Sequence, residues 1–161
     1  MNLKKVLLST AAALVIAPAA SFAADFPVTV SVEAIIPAAD GLQIPPVGGW
    51  DAITQTMGWD IARQDLRPIS QQIDMRSNAA IEGYLTNDAA LTSGANLLPM
   101  AVRVNGKTLA TGAAGKVEIL TAAEAAASQR VAVEIATTKP GTGYVEGNYA
   151  GQVYMMFEST P

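Results

Sequence analysis

The 161-residue chain contains no cysteine and no histidine. Their absence excludes disulfides, zinc centres of the usual kinds, Ser-His-Asp triads and Cys-His nucleophile pairs. Basic residues are also scarce: ten Lys and Arg stand against fourteen Asp and Glu, with no basic cluster. That balance argues against nucleic acid and against an anionic membrane surface as partners. The acids are scattered singly among small and apolar residues. Asp40-Gly41 and Asn87-Asp88 do not supply the closely spaced oxygen ligands of a calcium loop. Residue types alone leave a glycosidase-like carboxylate pair open, but the inventory as a whole predicts no enzyme, no metal and no cofactor. Gly48-Gly49 and Gly112 to Gly115 lack the Gly-Lys-Ser/Thr context of a phosphate loop and read as turns. Lys107, Lys116 and Lys139 sit beside turn residues, where solvated lysines belong.

Long apolar runs are confined to the start of the chain. Lys4 and Lys5 precede a stretch from Val6 to Ala20 broken only by Ser9, Thr10 and Pro18, and Ser21-Phe22-Ala23 then places small residues at the −3 and −1 positions. This pattern predicts a secretory signal peptide over residues 1–23, cleaved before Ala24. The mature chain would then hold 138 residues, with eight basic against fourteen acidic side chains, enough for one domain around a single core.

Directly after the predicted cleavage point, Phe26, Val28, Val30, Val32, Ala34 and Ile36 recur at a period of two. All six fall on one face of an extended strand. An apolar strand in a place where chains are normally frayed and polar requires a partner. Further strands are predicted over Ile69 to Arg76, Ala79 to Thr86, Leu98 to Val104, Lys107 to Leu109, Lys116 to Leu120, Arg130 to Thr137 and Gly151 to Glu158. Asn105-Gly106 between Val104 and Lys107 signals a two-residue hairpin. Thr121-x-x-Glu124 opens an alanine run as a capping box, predicting a short helix, and Asp88 to Ser93 suggests a single helical turn before Gly94. Many short strands separated by Gly and Pro, with little helix, make this an all-β antiparallel sandwich. Trp50 and Trp59 admit two readings, a sugar-stacking platform or core and edge cover.

Three stretches carry a family resemblance: Val28-Thr29-Val30-Ser31-Val32-Glu33; Tyr84 to Thr111, above all Leu98-Pro99-Met100-Ala101-Val102-Arg103-Val104-Asn105-Gly106-Lys107-Thr108-Leu109; and Gly147-Asn148-Tyr149-Ala150-Gly151-Gln152-Val153. Together the chain resembles the major pilins of alternate chaperone–usher (class 5, alpha-clade) fimbriae, which include the enteric colonisation-factor fimbriae. It departs from them at Ala34, where those pilins carry proline, and at Pro27 inside the first strand. Residues 40–64 match least.

The resemblance implies an incomplete immunoglobulin-like sandwich completed by a donor strand from a neighbouring subunit, with residues 24–37 as donor strand and 38–161 as pilin domain. The implied donor residues are Phe26, Val28, Val30, Val32, Ala34 and Ile36. Val102, Val104, Val153, Met155 and Phe157 are candidates for the acceptor groove, and Gly147, Asn148, Tyr149 and Gly151 for the turn into the last strand. The implied partners are identical subunits in a helical homopolymer, a periplasmic chaperone, an outer-membrane usher and a tip adhesin, on a route through the periplasm to a surface fimbria. The alternatives are a secreted carbohydrate-binding β-sandwich and a minor pilus adhesin; a single domain of this length leaves no room for a separate lectin domain.

Overall fold

The computed structural model describes residues 41–160. The signal segment and the expected donor strand, with all six of its apolar residues, lie outside the described residues. The strands, in chain order, are β1 (Trp59–Asp60), β2 (Asp65–Leu66), β3 (Ile69–Met75), β4 (Ala80–Leu85), β5 (Ala90–Ser93), β6 (Asn96–Val104), β7 (Lys107–Thr108), β8 (Val117–Leu120), β9 (Gln129–Thr137), β10 (Ala150–Gln152) and β11 (Met155–Thr160). Among the described residues one α-helix, α1 (Ala122–Ala126), joins β8 to β9, and two single 3-10 turns lie at Trp50–Ala52 and Ala113–Gly115.

Alternation of apolar and polar residues puts these segments into sheets. In β9, Val131, Val133 and Ile135 are buried and their neighbours face outward, as a period of two requires. The larger sheet runs β10-β5-β6-β9-β3, with β7 folded back on β6, and the smaller runs β11-β4-β8. Every strand pair in both is antiparallel. The inward rows of both sheets meet in one cluster, with Ile73, Met75, Val102, Val104, Val131 and Val133 from the larger and Ile81, Leu85 and Ile119 from the smaller. This is the antiparallel sandwich expected from the sequence. Its two-sheet division leaves β1 and β2 as a separate two-stranded ribbon.

Local signals explain the connections. Asn105 and Gly106 both adopt positive φ, 53° and 75°, and close the β6–β7 hairpin as a two-residue turn demands. At the N-terminus of α1, Thr121 Oγ1 accepts from the Glu124 amide, and the Glu124 carboxylate accepts from the Thr121 amide at 2.9 Å. The box satisfies two amides that a five-residue helix cannot bond internally.

Two expectations are corrected. Residues 88–93 do not form a helical turn: Ala90–Ser93 is β5, paired on one side with β6 and on the other with β10. Gly94, at φ 57°, makes the turn to β6, and pairing on both sides satisfies backbone groups that an isolated turn would leave exposed. The predicted last strand is divided. Ala150–Gln152 pairs with β5 in the larger sheet, and Met155–Thr160 pairs with β4 in the smaller. The chain changes sheets at Val153-Tyr154, as strands do at the corners of sandwiches.

Carboxylates tie strands together at the surface. Asp74 and Arg130 are directly opposite across β3 and β9, and the guanidinium donates to both carboxylate oxygens at 2.7 and 2.9 Å. That fork holds the Asp74 carboxyl below the usual carboxylate range. The Lys116 ammonium does the same for Glu158, and the Thr121 amide for Glu124.

Two outcomes follow from this packing. Thr121→Ala removes the capping acceptor and should lower the unfolding free energy by about 1 kcal/mol, read from urea midpoints. Because the folded-state pKa values of Asp74, Glu124 and Glu158 are depressed, their contribution is complete above the unfolded carboxylate pKa of about 4 and is lost as pH falls through the lower folded values. Stability should therefore be flat near neutrality and decline in acid, with a shallower decline in Asp74→Asn. An unchanged acid slope in that variant would contradict the assignment.

Candidate functional site

The larger sheet ends at β3, and residues 43–47 run along its outer edge. Gln43 exchanges backbone hydrogen bonds with Arg76 at 2.8 and 2.9 Å, the Pro45 carbonyl accepts from Asp74, and Val47 donates to Gln72. Residues 43, 45 and 47 thus turn their backbone groups toward β3, which leaves those of Ile44 and Pro46 on the opposite edge. Pro46 has no N–H to offer there. A proline on an edge is compatible with pairing on one side only. The Trp50 indole pins the following turn by donating to the Gln72 carbonyl at 2.8 Å.

The smaller sheet ends at β11, which among the described residues pairs with β4 alone. Between residues 43–47 and β11 lies a cleft of about 420 Å³. Ile44, Pro46 and Trp50 line it from the larger sheet, Val153, Met155 and Phe157 from the chain entering and forming β11, and Ile73 belongs to the same lining. Asp51 carries the only charge in it. A trough of this composition, bordered by a strand edge, is suited to taking an extended apolar segment: the edge supplies backbone partners and the trough takes alternate side chains.

A second cleft, of about 740 Å³, adjoins the first and shares Asp51, Val153 and Tyr154 with it. Gly147, Asn148, Tyr149 and Gly151 line this second cleft. Gly151 is required by space. A Cβ there would come within 2.1 Å of the Ala90 carbonyl oxygen, because β10 lies so close against β5. On β4, Gly83 faces Phe157, whose ring would lie 3.0 Å from an added Cβ. The missing side chain lets the ring settle onto the sheet instead of being pushed toward the cleft.

The residues singled out from sequence are thus distributed over three places. Val153, Met155 and Phe157 line the first cleft; Gly147, Asn148, Tyr149 and Gly151 line the second. Val102 and Val104 belong to neither, since both are wholly buried in the second half of β6, a central strand, against β9. The tryptophans do not share a surface. Trp50 lines the first cleft, whereas Trp59 packs edge-on against Tyr144 with ring centroids 5.3 Å apart. The Tyr144 hydroxyl donates to Asp65. That bond holds the Asp65 carboxyl below its ordinary value, while burial and the same bond raise Tyr144. Ile44 and Pro46 were missed because a two-residue contribution beside a proline pair carries no periodicity; the Pro45-Pro46 pair itself was the available sign of an edge.

Among solved structures, the fold is similar to that of the CooA pilin subunit from enterotoxigenic Escherichia coli, with a TM-score of 0.55 and 14% sequence identity. The match covers 73% of this chain and 87% of the other. No curated protein matches the sequence. The family described as CS1 type fimbrial major subunit matches residues 26–158, which takes in all but the last two of the described residues. The protein belongs to the CS1 type fimbrial major subunit family, whose members are structural subunits of surface fimbriae and not enzymes.

Proposed function

We propose that this subunit polymerises by donor-strand exchange, with residues 24–37 of one copy seated in the cleft between residues 43–47 and β11 of the next. The observation that carries the reading is the match of shapes and polarity. The cleft is apolar and lies beside a strand edge with no partner among the described residues, and the N-terminal segment presents six apolar residues at a period of two. Because Pro46 lacks an N–H, β11 is the main hydrogen-bonding wall and residues 43–47 serve chiefly as an apolar one. Each large aliphatic or aromatic side chain of the donor contributes about 1.5–3 kcal/mol on burial, against the entropy lost in ordering the strand. One surface gives and a different one receives, so the contact is heterologous and generates an open filament.

The same geometry supports an assembly route. An exposed apolar cleft beside an open edge is an aggregation hazard before polymerisation, which is the physical need a periplasmic chaperone would meet by occupying it after export under the signal at residues 1–23. An outer-membrane usher would then exchange chaperone for donor strand, and a tip adhesin would end the fibre. Genes for a chaperone and an usher beside this one are the expected genomic context.

Deleting residues 24–36 should abolish polymerisation, scored by electron microscopy and sedimentation. A truncated chain that still forms fibres would refute donor-strand exchange. In the full chain, Val30→Asp should slow polymerisation strongly, whereas Thr29→Asp, on the opposite face, should change it little. Equal effects of the two would show that no face-specific cleft receives the strand.

A further inference from the structure

Five methionines follow Met1, and four of them lie at the two clefts. Met57 and Met100 line the larger cleft, and Met155 and Met156 the smaller. Their exposures differ in an informative way. Met155 is half-buried in the inward row of β11 beside Phe157, Met156 is 43% exposed on the strand's opposite face, and Met75 is wholly buried in the core. The thioether of Met155 therefore borders a trough that is mainly apolar, with Asp51, Thr86 and Tyr154 as its polar members. No cysteine is present to intercept an oxidant first.

We propose that Met155 is an oxidative modification site whose reactivity depends on whether the cleft is filled, and that its sulfoxide blocks assembly. The inference rests on the donor-strand reading above. The co-reactant is a peroxide. A sulfur lone pair attacks the distal peroxide oxygen, the O–O bond breaks, the thioether is oxidised by two electrons to the sulfoxide, and hydrogen peroxide is reduced to water. The product is a polar, chiral group where a flexible apolar one stood. Between Val153 and Phe157, facing Ile44 and Pro46, the new S=O finds no free donor once an apolar strand covers it, because the Thr86 and Tyr154 hydroxyls at the rim already donate to Asn87 and Gln152, and such burial is costly. A seated donor would exclude peroxide from the cleft, so a finished fibre would be protected at the position where an unassembled subunit is vulnerable. Met156 borders the same cleft, but its side chain stands on the other face of the strand and is 43% exposed, so a seated donor leaves it open to oxidant.

The test uses the full chain as monomer and as assembled fibre, both treated with hydrogen peroxide and followed by peptide mass spectrometry. Met156 should convert at similar rates in both forms and Met75 in neither, while Met155 should convert about tenfold more slowly in the fibre, where the donor shields the thioether from oxidant. Binding of a synthetic peptide of residues 24–37 to the monomer should weaken by about tenfold or more on oxidation, the expected effect of burying an unpaired polar group. Methionine sulfoxide reductases should restore it, which separates this effect from irreversible unfolding. Met155→Leu, compared with its own untreated sample, should lose none of its peptide affinity. Equal conversion of Met155 in monomer and fibre, or peptide binding that survives its conversion, overturns the proposal. Loss of binding in Met155→Leu as well would overturn the assignment to Met155. An untreated monomer that neither binds the peptide nor assembles would instead overturn donor-strand exchange itself, and this inference with it.

Discussion

The separation of the two sheet edges, residues 43–47 beside β3 in the larger sheet and β11 in the smaller, is the constraint on which the rest of this molecule depends. A sandwich buries its inner faces only where strands of both sheets stand over them. At this side the inner row from Ile73 to Phe157 is covered by the side chains of Ile44, Pro46 and Trp50 and not by a further described strand. The cleft and the edge of β11 are two aspects of that one gap.

Other features follow from holding this gap in a defined shape. The chain crosses between sheets at Val153-Tyr154, so that β10 locks into the larger sheet before β11 begins. Gly151 permits the close contact of β10 with β5, and Gly83 gives the Phe157 ring room to lie on β4. On the opposite wall, the Trp50 indole and the Gln43–Arg76 hydrogen bonds fix residues 43–50 against β3. Both walls are thus braced by bonds that point away from the cleft. A trough braced in this way is preorganised, which lowers the ordering cost of binding an extended segment. The strand that we propose to fill it would bear most of that cost itself.

Chemistry plays little part in this design. The carboxylates that are displaced from their ordinary pKa values (Asp74 with Arg130, Glu158 with Lys116, Asp65 with Tyr144) each join a strand to another strand or to a loop. Such pairs are structural links and contribute modestly where solvent reaches them. Their placement agrees with a structural subunit of fimbriae.

Sequence alone determined most of the sheets. Period-two patterns located β3, β4, β6, β8 and β9 to within two residues, and the Asn105-Gly106 turn and the Thr121–Glu124 box were legible because each rests on local backbone geometry. The alternation of Val153, Met155 and Phe157 was likewise legible as one face of a strand. Only the tertiary structure decided which sheet each strand joins, because an antiparallel edge records its inner face in sequence but not its neighbour. It therefore split the last strand in two, turned residues 90–93 from a helical turn into β5, and buried Val102 and Val104 in mid-sheet, away from the cleft. It also brought Ile44 and Pro46 opposite Met155 and Phe157, residues more than a hundred positions apart in the chain. No local pattern can announce that pairing, since it is created only when two sheets close over a common core.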